Sequence, residues 1–555
     1  MNKNKLKKIA RRFILYPGLG LILLVSFAFT HDEYFEISKN IDIFITLFRE
    51  VNTYYVDETK PGELMKTAID GMLESLDPYT NYISESEIED YRFQMTGQYG
   101  GIGAQIGIRD GFCIVTEPYE GYAAMKADLR PGDIILEIDG NEMKGKNTAD
   151  VSKFLKGQAK TKVRLKIKRE GEGELTKELE REEIHVKNVP YYGMVDEVTG
   201  YIKLRDFRND AGDEVAKALQ ELKTKNTQMK QVILDLRGNP GGLLIEAINV
   251  VNVFTAKNQL VVKTKGKVKE WEKEYKTQGS PIDVEIPLVV LTNRGSASAS
   301  EIVSGTIQDL DRGVIVGQRT FGKGLVQSTR PLTYGTQLKV TTAKYYTPTG
   351  RCIQALDYSH RNEDGSVGEI ADSLKKEFRT LGGRKVFDGG GIAPDIKVDE
   401  QKPSNIALSL VNKYIIFDFA NKYRREHATI PSAATFKLSE DDWQGFVKLA
   451  SSKDYEYQTQ SEKQLEEFRK KAEQEKYLDQ VKTEYEALKK SLQRDKSSDI
   501  TKQRAELTEL IEREIIRRYY FEKGSFEATF EDDPDIKESL KVFADRERFK
   551  KLLRP

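Results

Sequence analysis

Pro287-Leu-Val-Val-Leu-Thr-Asn-Arg-Gly-Ser-Ala-Ser-Ala-Ser-Glu301 decides how this chain folds. Its first half is a short apolar, β-branched run, which reads as a strand. Its second half is a turn of small residues. Beyond it Ile302, Val303, Thr306, Ile307 and Leu310 recur on one face of a helix. The stretch Gln231-Val-Ile-Leu-Asp-Leu-Arg-Gly-Asn-Pro-Gly-Gly242 has the same form, followed by a helical face of Leu244, Ala247, Ile248 and Val251. A third apolar run, Gly313-Val-Ile-Val-Gly317, leads into Thr320-Phe-Gly-Lys-Gly324. Strand and helix patterns alternate over residues 186–400, which predicts a mixed α/β domain. Crevices of open α/β sheets form beyond the carboxyl ends of the strands. The serines of the first stretch and the lysine of the third are therefore expected at one crevice.

A serine at the start of a helix feels the positive end of the helix dipole. Two helix N-termini that converge offer free backbone N–H groups, the material of an oxyanion hole. A serine hydroxyl also needs a base. The four histidines, His31, His185, His360 and His427, lie outside these motifs. Lys323, between two glycines and beside Phe321, can serve if desolvation and nearby positive potential lower its proton affinity. The residues alone leave Ser296, Ser298 and Ser300 open as the nucleophile. Two rival readings fail on their own motifs. Gly317-Gln-Arg-Thr-Phe-Gly-Lys-Gly324 nearly matches a phosphate-binding loop. Gly324, however, replaces the magnesium-binding hydroxyl, and Leu325-Val-Gln-Ser-Thr329 reads as a strand where that loop needs a helix. Ser373-Leu-Lys-Lys376 fits S-x-x-K without the S-D-N and K-T-G partners of a penicillin-binding site.

The 555 residues allow three or four domains, on a prior of about 100–200 residues each. With 88 basic and 88 acidic side chains the chain carries no bias towards nucleic acid. Two cysteines, Cys113 and Cys352, both in strand-like contexts, exclude a disulfide framework. Six basic residues between Lys3 and Arg12 precede an apolar stretch over residues 13–29. That pattern predicts an exported chain, with residues 1–30 a cleaved signal or an uncleaved inner-membrane anchor facing the periplasm. Residues 31–96 read as helical. In residues 97–184 a glycine-rich loop, Tyr99-Gly-Gly-Ile-Gly-Ala104, precedes Ala127-Asp-Leu-Arg-Pro-Gly-Asp-Ile-Ile-Leu-Glu-Ile-Asp-Gly140. Such a loop can hold a chain-terminal carboxylate, and a neighbouring strand edge can add a peptide as an extra strand. Residues 403–555 are helical and highly charged. Their apolar positions predict helices that pack on a core of their own or offer a surface for self-association or an adaptor.

Taken together these motifs resemble the carboxy-terminal-processing (tail-specific) serine peptidases of family S41. Leu129-Arg-Pro-Gly-Asp-Ile-Ile135 is similar to a PDZ domain. Asp235–Gly242, Gly295–Glu301 and Thr320–Gln327 are similar to the family's catalytic motifs. Gly71-Met-Leu-Glu-Ser-Leu-Asp-Pro-Tyr-Thr80, Lys344-Tyr-Tyr-Thr-Pro-Thr-Gly-Arg351 and Gly391-Ile-Ala-Pro-Asp395 resemble its flanking signatures. The resemblance implies a multi-domain α+β chain. In it a mixed α/β, crotonase/ClpP-like Ser-Lys protease core (185–402) carries an inserted PDZ domain (97–184) and flanking helical regions. It implies Ser298 as nucleophile, Lys323 as base, Gln327 as the residue orienting the lysine, and Gly242 and Ala299 as oxyanion donors. It also implies that Gly101, Ile102 and Gly103 bind the C-termini of protein substrates. No metal or cofactor is implied. The alternative is a catalytically silent PDZ scaffold.

Overall fold

The computed structural model describes residues 34–554, apart from 456, 458 and 493–496. The expected signal or anchor over residues 13–29 lies outside the described residues. Among the described residues no helix is long and apolar enough to cross a membrane. The chain divides into two compact units, residues 1–82 and 83–555.

In the first unit a helix over residues 34–54 is followed by the helix Pro61–Glu74. Pro61 stands in the first turn, where its missing N–H costs nothing. Ser75 ends the second helix ahead of Asp77, whose carboxylate accepts from the backbone N–H groups of Tyr79 and Thr80 at 2.8 and 2.9 Å. Apolar side chains of the first helix are largely exposed, with Ile37, Ile41 and Ile45 each more than half open to solvent.

The second unit is organised by a six-stranded sheet. Its strands run in chain order across the sheet: Tyr191–Met194, Thr199–Lys203, Gln231–Asp235, Leu288–Thr292, Val314–Gly317 and Ile396–Lys397. The first pair is antiparallel and the rest are parallel. A steady order without reversal leaves no switch point. The crossover helices Ala211–Lys225, Leu244–Phe254 and Ala299–Asp309 pack on one face, against Ile202, Val232, Leu234, Leu288, Val290 and Ile315. The opposite face, Tyr201, Ile233, Val289, Leu291, Val314 and Val316, is covered by the end of the chain, with Ile536, Val542 and Phe543 buried against it. Burial on both faces explains why these strands are continuously apolar. A second, antiparallel sheet includes Leu260–Gly266, Lys273–Lys276, Leu325–Pro331 and Gln337–Tyr346.

Ahead of this core, Ala104–Arg109, Phe112–Pro118, Ile134–Ile138, Lys162–Arg169 and Gly173–Glu180 form a separate sheet packed on the helix Thr148–Leu155. The ribbon of Gln98–Gly101 with Glu182–His185 ties its two ends together. Cys113 is buried in the strand Phe112–Pro118. Cys352 departs from expectation: it lies half-buried in a loop, because the chain has already left the strand Gln337–Tyr346.

The helices after residue 403 serve two cores. Asn405–Asn412, Ile415–Glu426, Glu440–Ser451 and Arg504–Glu527 bury Leu410, Phe419, Trp443, Phe446, Leu507 and Ile515 among themselves. The last two, Pro534–Ala544 and Arg546–Leu553, close the six-stranded sheet. This helical body also holds the 104–180 sheet: Arg109 pairs with Asp418 at 2.6 Å, and Arg517 pairs with Glu117.

Candidate active site

Parallel strands end at the same edge of a sheet, and that is what brings the three sequence motifs together. The loop after Gln231–Asp235 and the loop after Leu288–Thr292 are stitched by backbone and side chain. Ala297 N–H donates to the Asn239 carbonyl at 3.0 Å, and Ser300 Oγ donates to the same carbonyl at 2.9 Å. The loop after Val314–Gly317 joins them through Phe321 N–H, which donates to the Ser296 carbonyl at 3.0 Å. Between these loops and the strand pair Leu325–Pro331 and Gln337–Tyr346 lies a cleft of about 520 Å³. Ser298, Ala299, Lys323, Gln327 and Gly242 all line it. No histidine does so among the described residues.

The three serines separate by environment. Ser296 is buried, its hydroxyl donating to the Leu236 carbonyl at 2.8 Å and accepting from Asn293 N–H at 3.0 Å. Ser300 is also buried, tied to Asn239. Ser298 stands at the cleft with φ 54° and ψ −111°, a conformation that side chains other than glycine rarely take. Strain of about 1–3 kcal/mol persists at such a position only when its surroundings over-determine it. Here they do. Ser298 N–H donates to Glu301 Oε2 at 2.8 Å, and its carbonyl accepts from Tyr345 Oη at 3.2 Å and Ile302 N–H at 3.0 Å.

Glu301 is completely buried. Its Oε1 accepts from Thr320 Oγ1 at 2.6 Å and Gly322 N–H at 2.7 Å; its Oε2 accepts from Ser298 N–H and from Lys323 N–H at 2.9 Å. Burial pushes this carboxyl above its ordinary value, and the Thr320 hydroxyl and the three amides pull against that. All four partners are donors, so the arrangement suits the carboxylate. Glu301 closes the serine motif, and the family resemblance gives it no role. The signal was present: Ser298-Ala-Ser-Glu301 has the spacing of a capping box, in which the residue three places into a helix reaches back to its cap.

Lys323 is half-buried between Gly322, at φ 92°, and Gly324. A Cβ on Gly322 would lie 2.4 Å from Ala355 Cβ, so this loop packs against the chain through its bare backbone. Phe321 does not dry the lysine as expected; it is half exposed and lies outside the cleft lining. Gln327 Nε2 donates to Thr341 Oγ1 at 3.1 Å, across the register of the two strands. Gly242, at φ 149°, passes so close to the strand end that a Cβ would meet the Phe207 carbonyl oxygen at 2.3 Å. Among the described residues its N–H and that of Ala299 are committed to no acceptor.

Beneath the Gly238–Gly242 loop lies a charged network. Asp235 pairs with Arg237 at 2.7 Å and Lys203 at 3.2 Å, and accepts from Tyr201 Oη at 2.6 Å. Burial works against ionisation of Asp235, but the Arg237 and Lys203 charges hold its carboxyl well below the usual carboxylate range. Arg237 reaches on to Asp533 at 2.7 Å and Asp535 at 2.8 Å, so the last helices brace the loop from behind.

Residues 198–358 match the sequence profile of peptidase family S41. Residues 114–169 match a PDZ domain, and residues 406–543 match the C-terminal helical domain of probable PDZ-proteases. A probable CtpA-like serine protease of Staphylococcus aureus (strain N315) is 31% identical over 431 residues, which span 76% of this chain and 74% of that protein. The chain belongs to peptidase family S41, the carboxy-terminal-processing serine proteases. Within the family, a carboxy-terminal-processing protease of Bartonella bacilliformis is 35% identical over 345 residues, 62% of this chain and 79% of that one. A solved photosystem II D1 C-terminal processing protease is 28% identical, with a TM-score of 0.36 over 64% of this chain and 92% of its own. As an S41 peptidase the protein is a serine-type hydrolase of peptide bonds with a PDZ domain ahead of its peptidase segment.

Proposed function

We propose that this S41 peptidase is an exported endopeptidase that recognises protein C-termini through its PDZ domain and cuts with a Ser298–Lys323 dyad. One observation carries the reading. Ser298 and Lys323 line one cleft, and their backbones are bound by the same buried carboxylate, Glu301. Ser298 Oγ attacks the scissile carbonyl carbon, and neutral Lys323, oriented by Gln327, accepts its proton. The N–H groups of Gly242 and Ala299 donate to the oxyanion. Collapse breaks the C–N bond, Lys323 passes the proton to the leaving amine, and an acyl-enzyme remains. A water that gives its proton to Lys323 then cleaves the ester and frees Ser298.

The substrate C-terminus binds at Gly101, Ile102 and Gly103. The Ile102 carbonyl already accepts from Ala124 N–H and the Gly103 carbonyl from Tyr119 N–H, both at 2.8 Å. The Ile102 side chain is buried. What this loop has left for a carboxylate is its amides. Among the described residues the adjacent strand Ala104–Arg109 pairs in its sheet with Phe112–Pro118 alone, which leaves its outer edge for an added peptide strand. We assign residues 1–30 to export, 31–96 to an N-terminal helical region, 97–184 to the PDZ domain, 185–402 to a crotonase/ClpP-like core and 403–555 to a helical accessory region.

The test is cleavage of an unfolded protein substrate by the purified chain. Ser298→Ala or Lys323→Ala lowers the rate by about 10³-fold or more. Near-wild-type activity in Ser298→Ala would overturn the assignment, and an inert wild type would favour a PDZ scaffold.

A further inference from the structure

Among the described residues that line the cleft, Asp206 is the one carboxylate, set against Arg208, Lys323 and Lys339. Asp206 is already engaged by Arg208 Nη2 at 3.2 Å. Lys339 is different. It is half-buried on the strand Gln337–Tyr346, directly opposite Thr329, and pairs with no carboxylate among the described residues. Burial alone pushes its ammonium below the ordinary lysine value. The wall next to it is fixed: Tyr91 Oη and Thr329 Oγ1 are 2.5 Å apart, which closes the cleft beside the lysine with the helix Ile88–Thr96. Two residues along that helix Arg208 lies over the Phe93 ring, and its Nη1 is buried without a hydrogen-bond partner among the described residues. A partly desolvated ammonium with no carboxylate partner among the described residues is unfavourable by itself and favourable once an anion pairs with it.

We infer that Lys339 is a specificity residue that binds a substrate carboxylate close to the scissile bond. The inference rests on the reading of this cleft as the active site. Position follows from the strand register. Gln327 faces Thr341 and Thr329 faces Lys339. Lys339 is therefore two residues, about 7 Å, farther along the strand than the catalytic end of the cleft. A peptide running extended beside this strand brings its second or third residue from the cut into reach. The carboxylate is an aspartate or glutamate side chain or the free C-terminus of a short peptide. Both present the same anion to one ammonium.

The experiment uses the full chain and internally quenched peptides in which Glu replaces Gln one position at a time on either side of the cut. Expected is one position at which Glu exceeds Gln in kcat/KM by about tenfold or more. Lys339→Gln brings that ratio to about one, Lys339→Arg keeps it, and Lys339→Glu turns the preference towards Lys at the same position. Truncated peptides with acid or amide ends identify the source. A preference for the acid end alone assigns the carboxylate to the C-terminus, and a preference for the Glu side chain assigns it to the sequence. A wild-type ratio near one at every position with both kinds of end overturns the inference without recourse to any variant. An unchanged ratio in Lys339→Gln does the same. Ser298→Ala separates the two readings. Cleavage that survives it overturns the assignment of the cleft, whereas cleavage lost with it alongside a flat ratio overturns only the role of Lys339.

Discussion

The backbone N–H groups of Ser298 and Lys323 donate to one oxygen atom, Oε2 of Glu301, at 2.8 and 2.9 Å. Two loops from the ends of different strands are thereby set in register by a single buried carboxylate. Glu301→Gln turns one of its acceptors into a donor facing donors. It is expected to lower kcat by about 10²-fold with a smaller change in KM, because loops displaced by an ångström lose that much. Glu301→Ala leaves the N–H groups of Ser298, Gly322 and Lys323 and the Thr320 hydroxyl without this acceptor and costs about 3 kcal/mol or more in stability. Steady-state kinetics and denaturant unfolding check both. Wild-type kcat in Glu301→Gln would refute the positioning role.

The three neighbouring serines are expected to behave differently. Ser296→Ala loses two buried hydrogen bonds and Ser300→Ala one, each worth about 1–2 kcal/mol, and both variants retain measurable cleavage. Ser298→Gly abolishes cleavage but raises the melting temperature above that of Ser298→Ala, since glycine relieves the strain at φ 54°. Equal melting temperatures for the two variants would mean that no strain is stored there.

Gly242→Ala is expected to cost about 10²-fold in kcat while leaving Ser298 and Lys323 in place. The added Cβ collides with the Phe207 carbonyl oxygen, so the loop must move and take its N–H with it. A variant with unaltered kcat would show that the Gly242 amide takes no part in the reaction.

Asp235 links stability to pH. Its carboxyl is held below its unfolded value, so the folded state binds fewer protons than the unfolded state at mildly acidic pH. The stability it contributes is fully present above about pH 4, the ordinary carboxylate value, and is lost as pH falls below it. Asp235→Asn leaves Arg237 and Lys203 without this charge and is destabilised by about 3–5 kcal/mol at neutral pH. Its unfolding free energy should fall less steeply below pH 4 than that of the wild type. Parallel slopes would argue against the linkage.

Removing the chain after residue 525 should abolish activity although every residue lining the cleft remains. The cut uncovers the Tyr201, Val289, Leu291 and Val316 face of the sheet and takes Asp533 and Asp535 from Arg237. Inclusion-body formation or loss of cooperative unfolding is the expected result. A soluble, active truncation would contradict it.

By itself the sequence determined the alternation of strand and helix, the turns that carry Ser298 and Lys323, and the want of a histidine among them. These are local matters of periodicity, small residues and side-chain chemistry, which short stretches encode. The capping spacing from Ser298 to Glu301 was legible too, but not that the same carboxylate reaches Lys323, 22 residues further on. Nor could periodicity tell that the apolar residues after 525 cover the sheet face that carries Tyr201 and Val316, or that Lys339 lines the cleft with no carboxylate partner among the described residues. Those are consequences of packing. Parallel strands bring distant loops to one edge, and only that meeting decides which serine is open, which carboxylate is buried, and which lysine is left without a counter-ion.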